Sequence, residues 1–165
     1  MILTRTPLRI SFAGGGTDLA EFYELDYGAV FSTAINKYVY VTVKQHSKLF
    51  TEAIRLNYAQ TEWVSTVDDV KNDIARECLR LLDIDPPIYV STVADLPAST
   101  GLGGSSAFAV GLLHALHLYR RERVSAGQLA EEATHIEVDV LGQPIGKQDQ
   151  YAAAFGGLNL FRFLP

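Results

Sequence analysis

In "LPASTGLGGSSAFAVGLLHAL", Leu96 to Leu116, the glycines Gly101, Gly103 and Gly104 run into a pair of serines and then into an almost wholly apolar stretch. Glycine adopts φ > 0 at little cost and lets the main chain come close to a ligand. The N–H groups that open the following helix have no acceptor inside it, and the helix dipole is positive there. Amide donors converging at such a place suit an anion, phosphate above all. Two other phosphate loops are excluded by spacing. No lysine follows these glycines as G-x-x-x-x-G-K-[ST] demands, and Ser106 stands where a dinucleotide loop counted from Gly101 needs its last glycine. The plain alternative is a flexible connection in which Ser105 or Ser106 caps the helix.

A nucleoside triphosphate normally travels with Mg2+, a hard cation that takes hydroxyl and carboxylate oxygens and keeps several waters. Ser105 offers the hydroxyl. Glu137 is the better-placed acid: at ~100° per residue, Leu129, Ile136 and Val140 mark the buried face of its helix, with Glu137 at the edge of that face beside Ala130 and Ala133. Glu131, Glu132, His135 and Asp139 point elsewhere. A carboxylate at the margin of a core is costly unless paired. Asp149 follows the loop "GQPIGKQ" at the start of a short helix, where the dipole favours its charged form. Taken singly, Glu137 reads first as an edge residue reaching water, and Asp149 as a helix-start acid.

The elements that must position these groups are legible from composition and period. Ile2 to Ala13 and Val30 to His46 are rich in β-branched and aromatic residues, and "GGGTDL" breaks off the first, which predicts an antiparallel sheet. "STVDDVKNDIARECLRLLDIDPP" predicts an amphipathic helix capped by Ser65 or Thr66, with Val70, Ile74, Cys78 and Leu81 on its core face and a Pro-Pro stop. "IYVSTVADL" predicts a strand feeding the glycine loop. "AFAVGLLHALHLY" is apolar around most of its circumference, so the helix beginning near Ser106 is expected to be buried. Ser125 with Gln128 three residues on forms a capping box for a helix reaching about Leu141. "YAAAFGG" predicts a short helix closed by Gly156 and Gly157, and "LNLFRF" a final strand.

The bulk numbers set the class. With 165 residues, 48% hydrophobic and 20% charged, the chain suits one well-cored globular domain. Its net charge of −5 gives no general attraction to nucleic acid or to a membrane surface, so any anion must be held locally. One cysteine, Cys78, and an N-terminus without a secretory pattern predict a cytoplasmic protein.

Three blocks, "TPLRISFAGGGTDL", "LPASTGLGGSSA" and "GKQDQYAAAFGG", in this order and at these separations, resemble the GHMP family of small-molecule kinases, most of all its D-glycero-D-manno-heptose 7-phosphate kinases. The resemblance runs over essentially the whole chain. It implies an α+β fold of two layers, helices over a mostly antiparallel sheet, with a left-handed β-α-β crossover. It also implies transfer of a phosphoryl group from ATP, with Mg2+, to a sugar or sugar-phosphate hydroxyl.

By position, the resemblance makes Pro97 to Ala107 the phosphate loop, with Pro97, Ser99, Gly101, Leu102, Gly103, Gly104, Ser105 and Ser106 as its binding residues. Ser105 and Glu137 become the Mg2+ ligands. Asp149 becomes the catalytic aspartate, assisted by Arg9 and Lys147, while Asp18, with Gly16, Thr17 and Gln150, would meet the substrate. Arg9 and Lys147 have a plain alternative as solvated cations, and Asp18 as an Asx-turn residue. Gly104 stands where relatives often carry serine, which leaves Ser105 and Ser106 both open as the metal ligand. "GGGTD" lacks the acid and histidine that galactokinases place before Thr-Asp, which argues against galactose and leaves fucose-type acceptors as the alternative. The family fold has a second, C-terminal domain that this chain lacks, so that half is an expected partner. A non-catalytic nucleotide- or sugar-binding fragment is the alternative from outside enzymology. Monomer and homodimer both remain open.

Overall fold

The computed structural model describes all of residues 1–165. Strands β1 (Ile2–Ala13) and β2 (Gly28–Gln45) form a long antiparallel pair in which Ile2 faces Val43 and Ala13 faces Phe31. Alternation sets their faces: Thr4, Thr6 and Leu8 turn inward with Val39, Val41 and Val43. The register shifts between Pro7 and Arg9 and between Ser11 and Ala13. Such bulges re-aim side chains, and the first one falls beside Arg9.

Between these strands lies a one-turn helix, α1 (Ala20–Tyr23). After β2 comes a hairpin absent from the sequence expectation, β3 (Ile54–Asn57) and β4 (Thr61–Val64), followed by a 3-10 turn at Val67–Asp69, helix α2 (Asp73–Leu81) and strand β5 (Ile88–Ala94). Helices α3 (Gly104–Tyr119), α4 (Ala126–Thr134) and α5 (Gln148–Phe155) lead to β6 (Leu158–Phe163). The sheet order is β1-β2-β5-β3-β4, and β6 pairs the first half of β2 while β5 pairs its second half. Only β3 and β5 pair in parallel. This is the expected α+β arrangement of a mostly antiparallel sheet under helices.

Helix α3 is the centre of the core. It is buried along most of its length and packs on β1 and β2, with α2, α4 and α5 around it. Gly111 lets it approach closely, since a methyl there would press on the Thr6 hydroxyl, and the Thr4 hydroxyl donates to the Gly111 carbonyl at 2.8 Å. No helix is long and apolar enough to cross a membrane.

Two expectations need correction. The helix predicted from Ser65 or Thr66 starts only after Asn72, whose Oδ1 accepts from the Ala75 N–H at 2.9 Å. The cause is Glu62 on β4, whose carboxylate takes the N–H groups of Lys71 and Asn72 and fixes the chain just before the helix. Val70 is therefore buried ahead of the helix, and the buried face is set by Ile74, Ala75, Cys78 and Leu79, with Leu82 following, which leaves Leu81 at 41% exposure. The helix from Ser125 does begin as expected, the Ser125 hydroxyl accepting from Gln128 N–H, but Gln128 turns its side chain to Glu132, so the capping box is half formed. That helix then widens into a π-helical turn at His135–Val140. The wider turn breaks the 100° phase, leaving Val140 at 49% exposure and carrying Glu137 fully inside.

Candidate active site

Strand β5 delivers the chain to the glycine loop, which curls through left-handed conformations at Ser99, Gly101 and Gly103. Gly103 is the N-cap of α3, and no side chain caps that helix end. The first N–H groups of a buried, rigid helix are thus aimed into a cavity of about 680 Å3. Pro97, Ser99, Gly101, Gly103, Gly104 and Ser105 line it. Leu102 and Ser106 do not: Leu102 packs on the core and gives its carbonyl to the Arg9 N–H at 3.1 Å, and Ser106 is buried.

At the mouth of the loop stand Arg9 and Asp149, both lining the cavity. Arg9 donates Nε to Asp149 Oδ1 at 2.7 Å and Nη1 to the Gly101 carbonyl at 2.8 Å, so one guanidinium ties the acid to the loop. Gly103, at φ +77°, lies close to this pair: a methyl on it would sit 3.4 Å from Asp149 Oδ2, an ordinary contact. Burial raises the Asp149 pKa, Arg9 lowers it through charge and hydrogen bond, and the nearby charge of Asp18 raises it again; the net shift is upward.

Behind the loop, Glu137 is buried and its Oε2 accepts from Ser106 Oγ at 2.6 Å and from Gln150 Nε2 at 2.7 Å. Its Oε1 has no partner. Burial raises the Glu137 pKa, partly offset by Ser106, by Ser105 close by, and by Gln150. Glu137 itself does not line the cavity; its unpartnered Oε1 lies behind the wall that Ser105 forms, and a carboxylate with a hydroxyl is the oxygen set a hard divalent cation takes. No group of three or more acid, His or Cys side chains is available to hold a metal. That donor set suits Mg2+ arriving with phosphate oxygens and waters of its own. Of the two serines, Ser105 faces the cavity while Ser106 orients Glu137.

The residues expected to meet the substrate are placed otherwise. Asp18 is 1% exposed; its Oδ1 accepts from Gly16 N–H at 3.0 Å and its Oδ2 from Gln148 N–H at 2.9 Å. It joins the "GGGTD" loop to the "GKQDQ" loop instead of offering a free carboxylate. Thr17 bonds its hydroxyl to Gly14 and Ala29 main chain, and Gln150 is buried against Glu137. Gly16 alone of this set is exposed, at φ +91°. Lys147 packs its ammonium over the Tyr23 ring, 5.2 Å from the centroid, and does not line the cavity. Tyr58, Asn72 and Ile74 also line the cavity. Sequence reasoning missed these, because β3, β4 and the start of α2 reach the cavity only through the tertiary fold.

Residues 66–157 match the family profile described as the GHMP kinases N terminal domain. The D-glycero-alpha-D-manno-heptose 7-phosphate kinase of Campylobacter jejuni is 34% identical over 98% of this chain and 50% of its own length. A galactokinase of Thermotoga maritima is 26% identical over 92% of the chain and 43% of its own length. The chain thus spans about half the length of the curated relatives it matches. Among solved structures, a D-glycero-D-manno-heptose 1-phosphate kinase from Bacteroides thetaiotaomicron superposes with a TM-score of 0.87 at 29% identity, covering 99% of this chain and 56% of that one. A galactokinase of Lactococcus lactis shares the fold with a TM-score of 0.73 at 19% identity, over 93% of this chain and 42% of that one.

Proposed function

Because the chain belongs to the GHMP kinase family, we propose that it forms the nucleotide-binding half of a sugar kinase that transfers the γ-phosphoryl of ATP to D-glycero-D-manno-heptose 7-phosphate, giving the 1,7-bisphosphate. The observation that carries the chemistry is the Arg9–Asp149 pair at the mouth of an uncapped helix in a cavity able to take a nucleotide. Asp149 accepts the proton of the acceptor hydroxyl as that oxygen bonds to the γ-phosphorus and the bond to the departing ADP oxygen breaks. Its raised pKa makes it a better proton acceptor than an exposed aspartate. Loop N–H groups and Arg9 face the charge that develops on the transferring phosphoryl, fixed in advance by α3. Ser105 and Glu137 would hold Mg2+, which supplies charge neutralisation along the phosphate chain when bound.

Support for the heptose acceptor comes from the Campylobacter jejuni and Bacteroides thetaiotaomicron proteins, and it is the finer part of the reading. Support for a second half is the exposed apolar face on the far side of the sheet, where the Phe12 and Phe31 ring centroids lie 5.4 Å apart and Leu160 pairs across from Phe31. A contiguous patch of this kind marks an interface, and we assign it to the C-terminal half. The test is ADP release by the full-length protein across heptose 7-phosphate, heptose, fucose, galactose and mevalonate. Release with heptose 7-phosphate alone supports the reading; preference for another acceptor moves the specificity, and no release with any acceptor despite ATP binding makes the domain a binding module.

A further inference from the structure

A second cavity lies on the opposite face of the sheet from the helices. Thr42 and Lys44 alternate with the buried Val41 and Val43, Tyr89 and Ser91 with Ile88 and Val90, and Arg55 sits between Ile54 and Leu56. Strand register brings them into two rows. Lys44, Tyr89 and Arg55 stand side by side across β2, β5 and β3, and Thr42, Ser91 and Asn57 form the next row. The hollow over these rows measures about 430 Å3, and Met1, His46 and Phe50 complete its lining.

Its electrostatics run against those of the chain. Acids outnumber bases overall, with a net charge of −5, yet the wall carries Lys44, Arg55 and His46 and no carboxylate. Neither Lys44 nor Arg55 forms an ion pair. Each is instead steadied on an aromatic face, Lys44 Nζ 5.1 Å from the Tyr89 centroid and Arg55 Cζ 5.4 Å from that of Trp63. Asn57 Nδ2 donates to the Tyr89 hydroxyl at 2.7 Å, and His46 stacks on Phe50 with ring centroids 4.6 Å apart. The one acid in contact, Glu52, lies outside the wall at 3.4 Å from His46 Nε2.

Two residues of the lining carry buried polar atoms with no partner, His46 Nδ1 and Arg55 Nε, and a third such atom, Asn57 Oδ1, lies in the adjoining row. Buried polar atoms in folded proteins are satisfied by protein, water or ligand in nearly every case. His46 is itself 3% exposed and lines the cavity, so no bulk water serves its free nitrogen. We infer that this outer-face cavity of Lys44, Arg55 and His46 binds the phosphate group of a small molecule, at a site separate from the glycine loop. Two cations suit a dianionic phosphate, and the hydroxyls of Thr42, Ser91 and Tyr89 suit a phosphate carried on a polyol as well as the free ion. The inference stands on this cavity alone and does not depend on the kinase reading.

The test uses the full-length protein and follows the His46 ring signals by NMR, assigned from a His46→Gln variant, during titration with inorganic phosphate, glucose 6-phosphate and, as an ionic-strength control, chloride. Saturable shifts with a phosphate probe and none with chloride are the expected result. Tighter saturation by glucose 6-phosphate identifies a phosphorylated polyol as the ligand class, and equal or tighter saturation by inorganic phosphate identifies the free ion. Lys44→Gln and Arg55→Gln, each confirmed folded by its melting curve, should each weaken the response about tenfold or more, as loss of a charge-assisted hydrogen bond does, with ATP binding unchanged. Unmoved His46 signals, shifts matched by chloride, or an unaltered response in both folded variants would overturn the inference.

Discussion

Arg9 and Asp149, 140 positions apart in the chain, meet at a single carboxylate oxygen, with Arg9 Nε at 2.7 Å and Nη2 at 2.5 Å from Oδ1. The geometry leaves Asp149 Oδ2 facing Gly103 and the cavity. One oxygen is held and the other has no protein donor, the arrangement that the proton-acceptor role proposed for Asp149 requires.

Asp149→Asn tests that role directly. The amide keeps the shape and can still meet Arg9 through its oxygen, but it cannot take a proton. Turnover of the full-length protein should fall by about two to four orders of magnitude, the usual range for a general base, while ATP binding by calorimetry stays within a small factor of wild type. Near-normal turnover would remove Asp149 from the chemistry.

Arg9→Gln should change the pH profile as well as the rate. Burial holds the Asp149 pKa up and Arg9 pulls it down. Without the guanidinium the carboxyl protonates at higher pH, so the acid limb of kcat/KM moves upward. An acid limb that stays put, with only its height reduced, would mean that Arg9 serves the phosphoryl group and leaves Asp149 alone.

The apolar outer face makes a prediction of opposite sign in two contexts. Leu160 is exposed on β6 across from Phe31. Leu160→Lys in residues 1–165 alone should reduce self-association, because it breaks an exposed apolar patch. In the full-length protein the same change should lower the melting temperature, because it buries a charge. A full-length protein indifferent to Leu160→Lys would leave that face without the partner assigned to it.

What the sequence discloses about this fold is what is local. β1 runs over the residues its alternation marks, Ser125 caps its helix, and Gly101 and Gly103 take the positive φ their type invites. The errors share one cause, side-chain contact between one element and another, which no periodicity within an element reports. Glu62 resets the start of α2 from another strand, and the π-turn that buries Glu137 answers to Ser106 and Gln150, which lie on two other helices. The same holds for the site. The loop, Glu137 and Asp149 are visible as residue types in a suggestive pattern, but that Asp18 would be enclosed by the "GKQDQ" loop follows only from where that loop packs.

That enclosure is testable at Gly146. A methyl on Gly146 would overlap the Asp18 carboxylate, whereas one on Gly127 in α4 meets only ordinary contacts. Gly146→Ala should therefore destabilise by about 1–3 kcal/mol, as overpacking does, and should lower turnover by shifting Asp149 three residues on. Gly127→Ala should be neutral or stabilising by up to about 1 kcal/mol, since alanine restricts the unfolded chain. Chemical denaturation of the two variants side by side reads both.

Glu137 sets stability against function. Its folded-state pKa is raised, chiefly by burial, so its protonated form is the one the fold favours. The stability it contributes is full below its unfolded pKa and is lost as pH rises through the folded value. At neutral pH the ionised carboxylate is therefore a cost to the domain without ligand. Glu137→Gln removes that charge, so at pH 7.5 the variant should melt at or above the wild-type temperature, and the difference should shrink or reverse as pH falls toward 4. The same variant should lose the Mg2+-dependent part of its affinity for ATP, because the buried oxygen that has no protein partner would no longer carry a charge to offer. A variant that is less stable at pH 7.5 and still binds Mg2+ and ATP normally would make Glu137 a structural residue bonded to Ser106 and Gln150, and nothing more.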